Sequence, residues 1–282
     1  MPELPEVETV VRDLRAAGLV GRSIAGVQVH WPRSVHGASR PEFVRRVRGR
    51  RIDGIARRAK YILIELSGGE TLLVHLRMTG QFRLEKSGAL RDPHEHVVLE
   101  LDDGRELRFH DTRKFGRWQL VADPRELDAR LGPEPLDDAF TRAVLEQRLA
   151  GRQRRLKPLL LDQSVVAGLG NIYVDEVLWR SRLHPLRNAA SLTRREQGAL
   201  YRAIRNVLAI AVENRGTSLG DGATNFQSLG GGRGLHQAMV RVFRRDGQPC
   251  PRCGATIVRL IVGQRGTHIC PCCQRVGAGE QA

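Results

Sequence analysis

Valines and leucines at 7, 10, 11 and 14 follow the i, i+3, i+4, i+7 spacing of one helical face. Pro5 suits a first turn, Glu6 and Glu8 lie near the positive helix end, and Gly18 stands where such a helix stops. One amphipathic helix therefore opens the chain. From Ser23 to Val121 the pattern changes to short β-rich runs, IAGVQVH, YILIEL, TLLVHLRM, HVVLEL, ELRFH and RWQLV, separated by turns such as SGGE and LDDGRE. These predict an antiparallel β-sandwich.

Pro124, Pro133 and Pro135 mark a boundary, and beyond them the period is helical again in FTRAVLEQRLAG, NIYVDEVLWRSRL and TRREQGALYRAIRNVLAIAVENRG. The glycine-rich stretch 216–238 suits neither helix nor strand and predicts a long mobile loop. The expected fold is α+β: an N-terminal helix and β-sandwich domain (1–133), a helical domain ending in the glycine-rich loop (134–238), and a cysteine module (239–282).

Charge narrows the class of partner. Lys plus Arg number 46 against 31 Asp plus Glu in 282 residues, a formal net charge of +15 that no single tail accounts for. A polyanion is the expected partner. Arg142, Arg148, Arg152, Arg154, Arg155 and Lys157 face one acid, Glu146, a density suited to phosphates; such contacts give affinity and salt dependence rather than sequence preference. No run approaches the length of a membrane span, and the first ten residues carry three acids where a secretion signal would be basic and then apolar. A soluble intracellular protein without membrane association is expected.

The five cysteines, at 250, 253, 270, 272 and 273, form a metal pattern rather than a disulfide framework. Cys250-Pro-Arg-Cys253 and Cys270-Pro-Cys-Cys273 are two C-x-x-C knuckles sixteen residues apart, which predicts one structural zinc ion held by Cys250, Cys253, Cys270 and Cys273. Cys272 is left over as a bystander or an alternative ligand; taking it in place of Cys273 would tighten the knuckle to C-x-C. Ile257, Val258, Leu260 and Ile261 between the knuckles suggest a β-hairpin, with Arg259 and Arg265 able to meet a groove.

The start of the chain, Met1-Pro2-Glu3-Leu4-Pro5-Glu6, carries a second candidate chemistry. A small second residue permits removal of Met1 and leaves a secondary amine. An α-amino group titrates near pH 8, so an appreciable fraction is free base at neutrality and nucleophilic. Attack on a sugar C1′ would expel a base and leave a cationic iminium, an electron sink for β-elimination, with Glu3 moving protons at the sugar. Taken alone, Pro and Glu here are also ordinary helix-start residues.

MPELPEVETV, LVHLRMTGQF, FHDTRKFG, VAGLGNIYVDEVLW, CPRCGATI and CPCCQ, in this order from residue 1 to about 275, resemble the formamidopyrimidine-DNA glycosylase family. The resemblance implies a bifunctional DNA glycosylase and AP lyase that excises oxidised purines, 8-oxoguanine and formamidopyrimidines, from double-stranded DNA. It implies that Pro2 is the Schiff-base nucleophile, Glu3 the adjacent proton donor, Lys60 the lysine of β-elimination and Arg265 the proton donor of δ-elimination as well as a phosphate contact. Met78, Arg113 and Phe115 would fill the gap left by an everted base, with Arg113 reaching the orphaned cytosine. Lys157 and Asn171 would contact phosphate, His94 and Arg152 would be further DNA contacts, and the helices around Asn171 would form a helix, two-turn, helix element. The loop at 216–238 would cap the lesion.

Two departures stand out. Thr112-Arg113-Lys114 replaces the usual Pro-Arg-Arg, and Phe243-Arg244-Arg245 replaces Tyr-Gly-Arg, so Arg244 removes backbone freedom beside the hairpin. Leu4 distinguishes the start from that of the endonuclease VIII branch, which reads Pro-Glu-Gly-Pro-Glu.

Overall fold

A computed structural model describes residues 1–219 and 226–276. It divides the chain into two compact units, Met1–Ala129 with Asn214–Gln237, and Arg130–Glu213 with Ala238–Ala282.

In the first unit, α1 (Leu4–Ala16) buries Val7, Val10, Val11 and Leu14, the stripe its spacing predicts, and the chain turns away at Gly18 with φ +70°. Among the described residues nine strands follow: β1 (Ile24–Val29), β2 (Val35–His36), β3 (Ile52–Arg58), β4 (Tyr61–Leu66), β5 (Thr71–His75), β6 (Gln81–Lys86), β7 (Glu95–Leu101), β8 (Arg105–His110) and β9 (Arg117–Val121). They form a four-stranded sheet ordered β1-β7-β8-β6 and a five-stranded sheet ordered β2-β9-β5-β4-β3. Ile24, Val97, Leu107 and Phe82 of the first and Ile55, Ile62, Val74 and Trp118 of the second belong to one core, so the two sheets form a sandwich. Phe82, Phe109 and Trp118 meet edge to face in its centre, with centroids 5.6–5.7 Å apart.

The ladders are antiparallel except for β2, a two-residue strand that pairs with β9 in parallel. A short helix, α2 (Arg40–Val47), interrupts the β-rich region and goes unseen in the hydrophobic pattern because it buries only Phe43 and Val47. Its start was nonetheless written in the chain: the Ser39 hydroxyl accepts the Glu42 N–H and a proline sits in the first turn.

The second unit contains α3 (Arg142–Leu149), α4 (Leu156–Leu161), α5 (Asn171–Ser181), α6 (Arg194–Glu213) and the hairpin β10 (Val258–Val262) and β11 (Arg265–Ile269). α5 packs against α4, α6 and β11. Gly263 and Gln264 make the two-residue hairpin turn with φ +55° and +61°, values that match the twist of the strands they join.

The glycine-rich stretch, grouped with the helical residues by its place in the sequence, is counted in the first unit. Its base is closed: Leu235 and His236 donate backbone N–H groups to the carbonyls of Asn214 and Gly216. The Ser218 hydroxyl bonds the Phe226 carbonyl and accepts the Gly234 N–H. Gly234 is required by close approach, since a Cβ there would stand 2.2 Å from the Gly216 oxygen. The expected lesion cap includes residues 220–225, which lie outside the described residues, as does 277–282 of the cysteine module.

Candidate active site and metal centre

Pro2 and Glu3 are buried at the start of α1. The Glu3 N–H donates to Glu6 Oε2 at 2.7 Å, while Glu6 Oε1 accepts the Thr217 N–H at 2.7 Å. One buried carboxylate therefore fastens both the chain start and the base of the glycine-rich loop. Arg15 of α1 donates to the Ile55 carbonyl and Glu8 pairs with Arg57 at 2.9 Å, so moving toward the N-terminus of α1 is moving along β3 toward its end. That end is the two-residue turn Ala59-Lys60, with Ala59 at φ +54° and Lys60 buried. The start of α1 thus points along β3 toward the turn that carries Lys60. His75, buried with its ring edge-on to Tyr61 at 4.8 Å, is pushed down to about 3, first by burial and then by the positive charges of Arg77, Lys60 and Arg117.

Met78, half-buried, lies on the turn between β5 and β6; Arg113 and Phe115, both exposed, lie on the turn between β8 and β9. The Arg113 guanidinium stacks 4.8 Å from the Phe115 ring centroid, and the Lys114 ammonium lies 4.4 Å over the Trp31 ring. His94 is half-buried and edge-on to His110, and its backbone N–H is held by Asp92.

In the second unit Arg265 is exposed at the first position of β11, directly after the turn. Arg152 is also exposed. Lys157 is not: its ammonium is fully buried, 2.6 Å from Asp175 Oδ1 and 3.1 Å from the Gly266 carbonyl. Asn171, at the start of α5, donates to the same carbonyl at 3.1 Å. Asp175 Oδ2 in turn accepts the His268 N–H and lies 3.1 Å from that ring. Lys157, Asn171 and Asp175 thereby grip the strand that carries Arg265. Neighbouring Glu176 accepts three consecutive N–H groups, those of Arg241, Val242 and Phe243, while its burial pushes the carboxyl pKa up.

The Sγ atoms of Cys250, Cys253, Cys270 and Cys273 all lie within 4.8 Å of one another, with Cys253–Cys270, Cys253–Cys273 and Cys250–Cys273 separations of 3.4, 3.5 and 4.0 Å. Tetrahedral thiolates about 2.3 Å from zinc are roughly 3.8 Å apart, so this set fits one zinc ion. The Trp179 indole N–H points at Cys250 Sγ from 3.4 Å. Cys272 is exposed, outside the cluster.

Three family models match the chain: the formamidopyrimidine-DNA glycosylase N-terminal domain over residues 1–118, its H2TH domain over 131–222, and the zinc finger found in FPG and IleRS over 247–276. A formamidopyrimidine-DNA glycosylase of Herpetosiphon aurantiacus is 50% identical over 97% of this chain and 100% of its own length. The chain belongs to the formamidopyrimidine-DNA glycosylase family.

Solved members of the glycosylase family agree with the architecture. The MutM (Fpg) protein of Thermus thermophilus superposes with a TM-score of 0.88 at 45% identity, covering 98% of this chain and 100% of that one. The Lactococcus lactis enzyme in complex with Fapy-dG-containing DNA gives 0.89 at 36% identity, covering 97% of this chain and 100% of that one. The predicted fold class and the single-zinc module are thus borne out. Arg244, one of the two departures named above, takes φ +55° with its guanidinium 5.9 Å from the Phe243 ring, so a residue with a side chain holds a left-handed backbone there.

Sequence reasoning missed Glu6 as a double anchor, Asp175 and Glu176 as buried braces, and Asp111 as the acceptor for Thr79, Arg113 and Gly116. A signal existed for the middle pair: two adjacent acids inside the otherwise apolar NIYVDEVLW must be buried on one face or another.

Proposed function

We propose that the chain is a bifunctional DNA glycosylase and AP lyase of base excision repair that removes 8-oxoguanine and formamidopyrimidines from double-stranded DNA, working as a monomer in the bacterial cytosol and nucleoid. Family membership across all three matched domains supports this reading, as does the DNA bound to the Lactococcus lactis relative. Among the described residues no helix is long and apolar enough to cross a membrane. The observation that carries the chemistry is the direction of α1, whose start runs toward the turn bearing Lys60.

After removal of Met1, the Pro2 nitrogen bonds to C1′ as the C1′–base bond breaks, and the base leaves with a proton. Glu3 protonates the sugar ring oxygen as the ring opens, and the secondary amine becomes an iminium. That cation accepts the electron pair released when the C2′ proton is taken, and the 3′-phosphate departs in β-elimination, with Lys60 assisting. A second elimination expels the 5′-phosphate, with Arg265 as proton donor. Met78, Arg113 and Phe115 fill the stack, while Asn171, His94 and Arg152 contact the DNA. Lys157 serves the phosphate site through Gly266, since its ammonium is committed to Asp175 and that carbonyl. The organisation into 1–133, 134–238 and 239–282 follows these tasks, although the loop of the second segment is fastened to Glu6.

Borohydride reduction in the presence of duplex DNA containing 8-oxoguanine or an abasic site tests the reading. The expected result is a covalent adduct at Pro2 on a chain lacking Met1. Full activity in Pro2→Gly without any trapped adduct would sink the amine mechanism.

A further inference from the structure

The three proposed wedge residues sit on two crossovers between the sheets. The first leaves the five-stranded sheet at His75 and enters the four-stranded sheet at Gln81; the second runs back from His110 to Arg117. His75 pairs with Arg117 and Gln81 with His110, so the crossovers lie side by side at one corner of the sandwich.

Asp111 joins them. It is fully buried, and its Oδ1 accepts the Thr79 hydroxyl from the first crossover and the Arg113 N–H, at 3.2 Å, from its own. Oδ2 accepts the Gly116 N–H at 2.7 Å, and the Asp111 carbonyl accepts the Lys114 N–H at 3.3 Å. Thr112 to Gly116 is therefore wrapped around one carboxyl group, with Thr79, next to Met78, tied to the same oxygen. Both crossovers also press on one ring: a Cβ on Gly80 would fall 2.7 Å from Phe109 Cζ, and one on Gly116 would fall 2.3 Å from it. Arg77 and Lys114 hold left-handed backbones at φ +56° and +59°, one in each crossover, so both turns are over-determined by their surroundings.

We propose that Asp111 is a positioning residue which, through Thr79, locks the Met78 turn and the Arg113–Phe115 turn into one rigid wedge and so sets the preference for the base opposite the lesion. This rests on the functional reading above. Arg113 can prefer cytosine, whose pairing edge offers two adjacent acceptors, O2 and N3, over adenine, which offers only N1 beside its amino donor, only if its backbone is held against the gap. A free guanidinium on a loose turn would meet either base.

The test uses the full-length enzyme with Thr79→Val, which removes the hydroxyl at constant shape, Thr79→Ser, which keeps it, and Asp111→Asn, which turns one acceptor into a donor facing the Gly116 N–H. Substrates are duplexes with 8-oxoguanine opposite cytosine or adenine, and a single-stranded abasic oligonucleotide, which has no orphaned base and no stack to fill. Thr79→Val and Asp111→Asn are expected to lower kcat/KM on the cytosine duplex by about tenfold. The cytosine-over-adenine preference should shrink by about fivefold, borohydride trapping of the single strand should stay within about twofold, and Thr79→Ser should behave as wild type. An unchanged base preference, or single-strand trapping that falls in parallel with duplex activity, would overturn the assignment. If Asp111→Asn does not fold, the two Thr79 variants decide alone. Absence of an adduct from the wild-type chain would instead overturn the amine chemistry, which keeps the two failures distinct.

Discussion

The proposed wedge at the sandwich corner and the hairpin that carries Arg265 both present an arginine on a tight turn, yet they are built on opposite foundations. The wedge turns rest on a large core, with Phe82, Phe109 and Trp118 packed beneath them, and one buried carboxylate shapes the exposed residues. Among the described residues the apolar cluster of the cysteine module comprises Val242, Cys250, Ile257 and Cys270, edged by Trp179, Ala255 and Cys273, and Ile261 of the hairpin is 71% exposed. A core that small does not repay the entropy of ordering the chain. Four thiolates around zinc, and the Lys157–Asp175 pair, do the work that apolar burial does at the wedge. An arginine can be aimed equally well by hydrophobic packing or by ligation and charge, but the two modes fail under different conditions.

Metal removal should separate them most widely. Structural zinc contributes on the order of 10 kcal/mol to folding of such modules, far more than the hairpin's apolar contacts. Chelation is expected to abolish DNA affinity while most of the β-sandwich circular-dichroism signal persists. Unchanged affinity after verified metal loss would remove the hairpin from DNA binding and erase the contrast.

The buried ion pair comes next. Lys157→Met keeps the stem but leaves Asp175 facing an apolar neighbour, and breaking a buried pair in this way costs about 3–5 kcal/mol. Denaturant unfolding should show that loss, and the further change Asp175→Leu should recover part of it. DNA binding should weaken with its salt dependence unaltered, because no phosphate contact is lost. A fall in the slope of log K against log salt by about 0.9 would show that Lys157 meets a phosphate directly and does not act through Gly266.

How far the chain announced this arrangement differs between the two regions. The zinc centre was fully legible, because two C-x-x-C knuckles leave little geometric freedom and the four sulfurs come together as spaced. The sandwich and α1 were legible because burial imposes period 2 or 3.6 on the side chains; β5 hides its period because all five of its residues are buried. Charge was the poor guide. Within the basic run, Arg152 is exposed, Lys157 is entirely buried, Arg142 pairs with Glu146, and Arg154 pairs with Asp162 at 2.8 Å. A count of formal charges cannot tell a cation offered to phosphate from one spent on a neighbouring carboxylate, since the partner comes from tertiary contact. Asp111 and Glu6 were illegible for the same reason: what they do is accept N–H groups from segments that the fold, and not the local sequence, brings to them.

The smallest effect probes how the hairpin end tolerates a departure from its family. Arg244 holds φ +55° with a side chain, a conformation that costs a non-glycine residue roughly 1–2 kcal/mol. Against that relief, glycine raises the entropy of the unfolded chain by about 0.4–1 kcal/mol, and the stack on Phe243 is an exposed cation–π contact worth about 0.5 kcal/mol. Arg244→Gly should therefore leave the stability of the zinc-loaded protein within about 0.5 kcal/mol of the parent, by the balance of those three amounts. Arg244→Ala keeps the strained Cβ and loses the stack, so it should lie about 1 kcal/mol below the glycine variant in chemical denaturation. Equal stability of the glycine and alanine variants would mean that the turn relaxes at no cost when its side chain is changed. The hairpin's approach would then be set by the metal and by Glu176's grip on residues 241–243 alone, with the backbone at Arg244 free to follow.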